Sequence, residues 1–347
     1  MSGYHPAPEE DVVVTSRVRL ARNFVDIPFA PLMKKDYAEE TVRRADVAVN
    51  SMNQSGTFQL LRISELNQNE RKRLVEHHLI SYDLLKFSGF SAALISTGET
   101  VSIMVNEEDH LRIQGLLPGM QIERAANLAY SADDWLGTRY PYAFDHQLGY
   151  LTSCPTNTGT GMRASVMLHL PALSLTKQIG NIVQTVGKLG MTVRGIYGEG
   201  SEALGNLYQL SNQVTLGRSE EDIIKSLNGT TAQIINTERF TRKKLWEQDR
   251  IGVEDRILRS LAIAQSSRLI DIDEFMTRYS DIRVACGLGL IKLPTTDFDQ
   301  LMMDLQPASL NVKAAAELNS RDQKAYRAKL LRETLRELLE SAESTEA

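Results

Sequence analysis

Cysteine is scarce: Cys154 and Cys286 are the two in 347 residues, which excludes a disulfide framework and fits a reducing compartment. The six histidines show no C-x-x-C or H-x-x-x-H pairing, so a structural zinc site is not expected. No apolar run approaches the roughly 20 residues that a membrane span needs. Residues 1–6 lack the basic and apolar segments of a secretory signal, and a cytoplasmic chain with no membrane partner is expected. There is no excess of positive charge either: 39 Lys+Arg against 44 Asp+Glu leave a formal net charge of −5. That argues against broad nucleic-acid binding. A Walker A loop and a protein-kinase H-R-D signature are both absent. What remains is 42% hydrophobic and 24% charged residues, an ordinary globular composition, in a chain long enough for two domains.

The chain is organised around residues 151–166, Leu-Thr-Ser-Cys-Pro-Thr-Asn-Thr-Gly-Thr-Gly-Met-Arg-Ala-Ser-Val. A strand-like start runs into Cys154-Pro155, then a small polar loop with Gly159 and Gly161, then Arg163 and an apolar run. Two readings are open. Successive loop amides beside a guanidinium make an anion-binding concavity, and a thiol near fixed positive charge becomes partly thiolate. Alternatively, the stretch is a β-hairpin with a buried cysteine.

Residues 12–20 are β-branched and read as a strand, with Ser16, Val18 and Leu20 facing one way and Thr15, Arg17 and Arg19 the other. The two arginines form a solvated face or a clamp for something multiply negative. Helical spacing covers residues 35–53 and again 67–80, where Asn67 and Glu70 suit a capping box. The second helix ends in His77-His78, positioned either to favour the helix dipole or to stack on a base. Residues 92–96 and 101–105 form a hairpin through 97–100. It runs into Asn106-Glu107-Glu108-Asp109-His110-Leu111-Arg112, where three adjacent acids repel one another unless a cation lies among them. Either Glu108 and Arg112 pair at i, i+4 in an exposed loop, or a carboxylate is aimed at a cationic substrate and Arg112 at an anion.

Further helices are expected over 123–136 and 173–189, closed by Gly190, and strands over 192–197 and 207–215. The loop between those strands carries Glu199 and Glu202 among glycines, a composition suited to closing over a ligand. Beyond a helix at 219–236, and past about residue 245, strand signals stop. Helices follow at 252–265, 272–287, 297–305 and 321–341, separated by turn signals at Gly287, Pro294 and Pro307. The expected architecture is a mixed α/β unit over 1–245 and an all-helical one over 246–347. Apolar Leu330, Leu331, Leu335 and Leu338 form either a dimer surface or an internal core.

Four segments together carry a resemblance: Thr-Ser-Arg-Val-Arg at 15–19, Asn-Glu-Glu-Asp-His-Leu-Arg at 106–112, Cys-Pro-Thr-Asn-x-Gly-Thr at 154–160 followed by Arg-Ala-Ser-Val at 163–166, and Arg-Gly-x-x-Gly-Glu at 194–199. In this order they resemble the ATP:guanido phosphotransferases, which include creatine and arginine kinases. The resemblance implies an α+β fold, an antiparallel sheet flanked by helices, followed here by the all-helical region. It implies that Arg17, Arg19, Arg112, Arg163 and Arg194 hold ATP phosphates, with Ser16, Ala164, Ser165 and Glu199 in the same nucleotide site and His78 near the adenine. It further implies that Glu108, Glu202 and Cys154 bind the substrate guanidinium. ATP and Mg²⁺ are the implied co-reactants. Because an arginine with pKa above 12 is protonated at neutral pH, a positioned carboxylate must take the proton as the N–P bond forms, a contribution of about 10²–10⁴ in rate. Glu108 is assigned that role.

Metabolic members carry a helical domain of about 100 residues before the Ser-Arg-Val-Arg strand. Here 14 residues precede Thr15 and the helical region follows instead. That layout is similar to bacterial protein-arginine kinases of the McsB type. The similarity implies arginine-bearing protein substrates, an adaptor, a Clp-type ATPase, a stress-response repressor and a homodimer. Two departures stand out. Tyr197 occupies the position of a second family arginine. Gln323 and Lys324 stand where an Arg-Asp pair of a phosphoarginine-binding pattern is expected when the chain is aligned on Arg327-Ala328, and Ala325-Tyr326 stand in place of its Arg-Ala when it is aligned on Arg321-Asp322, so that switch is expected to be weak or absent. A small guanidino-compound kinase and a non-catalytic adaptor are the competing expectations.

Overall fold

The β-branched opening run becomes β1 (Val13–Arg22), and everything before the helical region is arranged about it. In this computed structural model residues 6–29, 33–51, 58–87, 89–196 and 203–344 are described. After β1 come α1 (Lys35–Asn50), β2 (Phe58–Arg62), α2 (Gln68–Glu76), β3 (Ala92–Ser96), β4 (Val101–Val105), β5 (Leu111–Pro118) and α3 (Ile122–Arg139). A small hairpin, β6 (Phe144–Asp145) and β7 (Gly149–Tyr150), leads to β8 (Met162–His169), α4 (Pro171–Leu175), α5 (Ile179–Gly187), β9 (Met191–Gly195) and β10 (Leu207–Asn212). Eight strands form one sheet in the order β2-β3-β4-β5-β1-β8-β10-β9. Every neighbouring pair is antiparallel.

A period of two along the strands divides the sheet's faces. Val18 and Leu20 point into a core with Ile113, Ala125, Ala129, Val166 and Leu210, formed as α3 and its neighbours cover that face. Thr15, Arg17, Arg19 and Ala21 point the other way. The long helix α6 (Glu220–Gln248), capped by Ser219, whose hydroxyl accepts from Asp222 N at 3.0 Å, packs Ile223, Leu227, Ile234 and Ile235 into the sheet's core and leads into the helical region. That region runs through α7 (Arg250–Ser266), α8 (Ile272–Gly287), α9 (Thr295–Asp304), α10 (Pro307–Ala314) and α11 (Ser320–Ser344). Its core of Phe275, Tyr279, Phe298 and Leu301 also takes in Val14, Met167 and Leu207 from the sheet. Among the described residues no helix is long and apolar enough to cross a membrane.

Several boundaries differ from the sequence reading. β2 and β5 are strands that periodicity did not reveal. The single helix expected over 173–189 is two, because Lys177 adopts φ 57° and stops the first. Pro307 opens α10 at its first position, where its missing N–H costs nothing. The helix expected over 219–236 runs on to Gln248, through the expected boundary at 245. The leucine stripe is internal: Leu331 and Leu335 are fully buried, with Leu330 and Leu338 packed on the same core.

Candidate active site

The register of the sheet gathers the arginines. Arg17 lies opposite Ser165 of β8 and Arg19 opposite Arg163. Arg112 of β5 lies opposite Ala21, and Arg194 of β9 opposite Gln209 of β10. Directly opposed residues share a face, so all five guanidinium groups belong to the side away from α3. Arg17 donates to Gln209 Oε1 at 2.9 Å and to Ser165 Oγ at 3.4 Å. Among the described residues, Arg19 Nε and Arg163 Nε are buried with no hydrogen-bond partner. Burial, then the charges of Arg17, Arg112 and Arg163, push the Arg19 guanidinium well below its usual range. Burial, then Arg194 and Arg112, lower Arg163 likewise. Crowded, partly desolvated cations with unfilled donors are stabilised by an anion that enters among them.

Ser16 and Ala164, expected at the nucleotide, have side chains on the opposite face. Ser16 Oγ donates to Gly119 O at 2.7 Å and accepts from Gln121 N at 2.9 Å, fixing the turn into α3. Ala164 is fully buried in the helix-covered core. Ser165 does join the arginine face.

His78 follows the end of α2 at φ 58°, and its carbonyl accepts from Gln114 Nε2 at 2.8 Å. Its ring lines a cleft with Thr15, Arg17, Leu116, Ser165, Met167 and Gln209. Burial, reinforced by Arg17, lowers its pKa to about 3. The ring is therefore neutral at physiological pH, which removes the charge–dipole reading and leaves a flat apolar surface beside the arginines.

The three adjacent acids separate. Glu107 is buried, accepts from Arg112 Nη1 at 2.7 Å and also takes the Ser81 hydroxyl. Asp109 is buried and accepts from Asn23 Nδ2 at 2.6 Å and Ser153 N at 2.7 Å. Glu108 alone of the three turns outward, where its Oε1 accepts from Asn157 Nδ2 at 2.9 Å. The exposed Glu108–Arg112 pair is thus replaced by Glu107–Arg112, because the chain here is a tight turn into β5 with Asn106 at φ 61°, not a helix. Partial burial, then the Asp109 charge, holds the Glu108 carboxyl above the ordinary glutamate value, against Arg112 and Asn157.

Through Asp109–Ser153 the acidic turn is tied to the loop bearing Cys154. Cys154 is half-buried, with Sγ 3.0 Å from Thr156 Oγ1. Thr215 Oγ1 clamps the loop by donating to Thr156 O at 3.0 Å and Thr158 O at 2.7 Å. Gly161, at φ 64°, passes so close to β1 that a Cβ there would lie 2.6 Å from Ala21 O. Arg22, buried against Asp133 of α3, donates to Thr160 O at 2.9 Å and holds the loop's far end. Asn157, Glu107, Gln209 and Arg22 therefore support the site without having been singled out as site residues. Asn157 was visible within the Cys-Pro-Thr-Asn motif, whereas Gln209 and Arg22 carried no local signal. Glu199, Glu202 and Tyr197 lie outside the described residues.

A carboxylate beside a thiol loop, facing clustered guanidiniums across one sheet surface, can hold a cationic acceptor against an anionic donor. Residues 40–241 match the model of the ATP:guanido phosphotransferase C-terminal catalytic domain. Residues 250–346 match that of the protein-arginine kinase McsB C-terminal domain. A protein-arginine kinase of Geobacillus sp. (strain WCH70) is 47% identical over 95% of this chain and 92% of its own length. One from Caldanaerobacter subterraneus subsp. tengcongensis is 45% identical over 92% of this chain and 96% of its own length. Among solved structures, the substrate-free duplicated taurocyamine kinase of Schistosoma mansoni superposes with a TM-score of 0.57 at 26% identity, over 65% of this chain and 33% of that longer one. Lombricine kinase shares the fold, with a TM-score of 0.58 at 24% identity over 69% of this chain and 72% of its own. With both family models matched in sequence and the relatives aligned almost end to end, the chain belongs to the ATP:guanido phosphotransferases, in their protein-arginine kinase branch.

Proposed function

We propose that this chain transfers the γ-phosphoryl group of ATP to a guanidino nitrogen of arginine side chains in proteins. The observation that carries the reading is the cluster of five arginines on one sheet face, two with buried unfilled donors, adjoining a carboxylate that Asn157 holds outward. In this reading Arg17, Arg19, Arg112, Arg163 and Arg194 bind the phosphates. They stabilise the phosphoryl group in flight, for which one well-aimed arginine contributes about 10³–10⁵ in kcat. The neutral His78 ring packs against the adenine. Ser165 contributes a hydroxyl to this site, whereas Ser16 and Ala164, whose side chains lie on the opposite face, are left out of it. Mg²⁺ bound to the nucleotide would supply further neutralisation of the phosphate charge that these arginines face.

Glu108 takes the proton from the attacking nitrogen as the N–P bond forms and the bond from phosphorus to the ADP oxygen breaks. Partial burial and the Asp109 charge raise its pKa above the ordinary glutamate value, which strengthens it as a base. Glu202 orients the planar guanidinium, Cys154 lies against it through its sulfur, and Glu199 belongs to the nucleotide side. The catalytic unit, expected over 1–245, is taken to the end of α6 at Gln248, and the helical unit, expected over 246–347, to begin with α7 at Arg250. We further propose a cytoplasmic homodimer whose products are recognised by a Clp-type ATPase, acting with an adaptor and on a stress-response repressor. In the helical unit Lys324 is tied to Asp271 at 3.3 Å and Gln323 to Asn311 at 3.3 Å, which supports a weak or absent response to free phosphoarginine.

Incubation with labelled ATP and a mixture of unfolded protein and free arginine tests the reading. Acid-labile label on the protein is expected. Label on free arginine alone would establish a small-molecule kinase instead, and a dose-dependent stimulation by phosphoarginine would overturn the regulatory part.

A further inference from the structure

Three consecutive side chains at the end of α2 point to three different parts of the molecule. Glu76 reaches into the helical region: its carboxylate accepts from Ala308 N at 2.9 Å and from both Ser309 N and Ser309 Oγ at 2.7 Å. It thereby caps the N-terminus of α10, where unpaired amides and the helix dipole favour an anion. Asn69, in the first turn of α2, adds a second tie by accepting from Asn311 Nδ2 at 3.1 Å. His77 is buried between Glu99 of the β3–β4 turn at 3.8 Å and Asp304 at the end of α9 at 3.5 Å. Asp304 also holds Lys313 of α10 at 2.7 Å. His78 then turns into the nucleotide cleft beside Arg17.

The backbone of His78 makes these ties consequential. A non-glycine residue at φ 58° occupies a disfavoured region and stays there only when its surroundings fix it. On one side Gln114 holds the His78 carbonyl at 2.8 Å. On the other, the chain is fixed two residues earlier by the α10 amides on Glu76. We propose that Glu76 is a positioning residue for the nucleotide site, through which the grip of α10 keeps the His78 ring set for the base. The helical region then tunes affinity for the nucleoside part of ATP and leaves the grip of the arginines on the phosphates unaltered. The inference rests on the assignment of His78 to the adenine side.

Calorimetric titration of the full-length protein with ATP and, separately, with inorganic tripolyphosphate tests it. Tripolyphosphate can use the arginines but has no base. In Glu76→Gln, which keeps the side chain's size but can accept with one oxygen only, ATP affinity should fall about threefold to tenfold with tripolyphosphate affinity unchanged, the range expected for a carboxylate at a helix N-terminus. Ser309→Ala, which removes one donor from the distant partner and leaves residues 76–78 intact, should shift ATP in the same direction by a smaller factor. Unchanged ATP affinity in both variants would overturn the inference. So would an equal loss for ATP and tripolyphosphate, which would mark general distortion. Failure of the unmodified protein to prefer ATP over tripolyphosphate would instead overturn the adenine assignment beneath it.

Discussion

Glu107, Glu108 and Asp109 are adjacent and chemically alike, and their surroundings alone give them different work. Glu107 neutralises Arg112, Asp109 ties the turn to the Cys154 loop, and Glu108 is left facing outward with its pKa raised by partial burial and by Asp109. A general base loses activity as pH falls through its pKa. The acid limb of kcat/KM should therefore lie above that of an ordinary glutamate. Asn157 donates to Glu108 and favours its ionised form, so in Asn157→Ala the limb should move to higher pH. A limb that stayed in place, or moved down, would remove Glu108 from the base role. At this scale the sequence was informative where a strand's period of two applied: Arg17 and Arg19 share a face as alternation requires, and by the same rule Ser16 faces away. It misled where the pairing argument presupposed a helix, since Glu108 and Arg112 are separated by a turn and a strand start. His78 lay beyond local reading, because its neutrality comes from burial under segments remote in the chain.

Elements bring these residues together, and one close junction is between the Cys154 loop and β1. Gly161 takes φ 64°, and a side chain there would collide with Ala21 O and lie 2.7 Å from Arg22 Nη1. Gly161→Ala should lower unfolding free energy by about 1–3 kcal/mol from the left-handed backbone and the collision, read from urea denaturation. Because it displaces the loop, kcat should fall as well. Wild-type stability in this variant would show that the close approach is absent. Strand β1 was legible as a β-branched run and β3 and β4 as short apolar runs of a hairpin, whereas β5 was hidden. Its first residues follow directly on the acidic turn, and Gly115 and Pro118 interrupt its pattern. β2 is a five-residue edge strand whose place is fixed by pairing with β3. The break between α4 and α5 depends on the left-handed turn at Lys177, for which the sequence offers neither Gly nor Asn.

Across the whole molecule, the catalytic and helical regions are joined by buried charge as well as apolar contact. Arg283 of α8 is fully buried, paired with Asp299 of α9, and donates to Glu10 O at 2.6 Å in the segment before β1. Tyr279 Oη donates to the same Asp299 carboxylate at 2.6 Å. Removing one partner of a buried pair leaves an uncompensated charge, so Asp299→Ala should cost about 3–5 kcal/mol of unfolding free energy in urea. A change within experimental error would mean that the pair is solvated. The switch from strands to helices in the C-terminal third was legible. The docking of those helices on Val14, Met167 and Leu207 was not, because it depends on long-range packing that no local pattern encodes.

The central claim is that the Glu108 carboxylate and the arginine face make one phosphoryl-transfer site for protein arginine. The most direct measurement is phosphorus NMR of an unfolded, arginine-containing protein after incubation with ATP and either the unmodified chain or Glu108→Gln. The account predicts a phosphoramidate signal from the unmodified chain and a rate lower by about 10²–10⁴ in the variant, with ATP binding retained. A phosphate-ester signal in place of the phosphoramidate, or a Glu108→Gln variant that phosphorylates arginine at the unmodified rate, would contradict it.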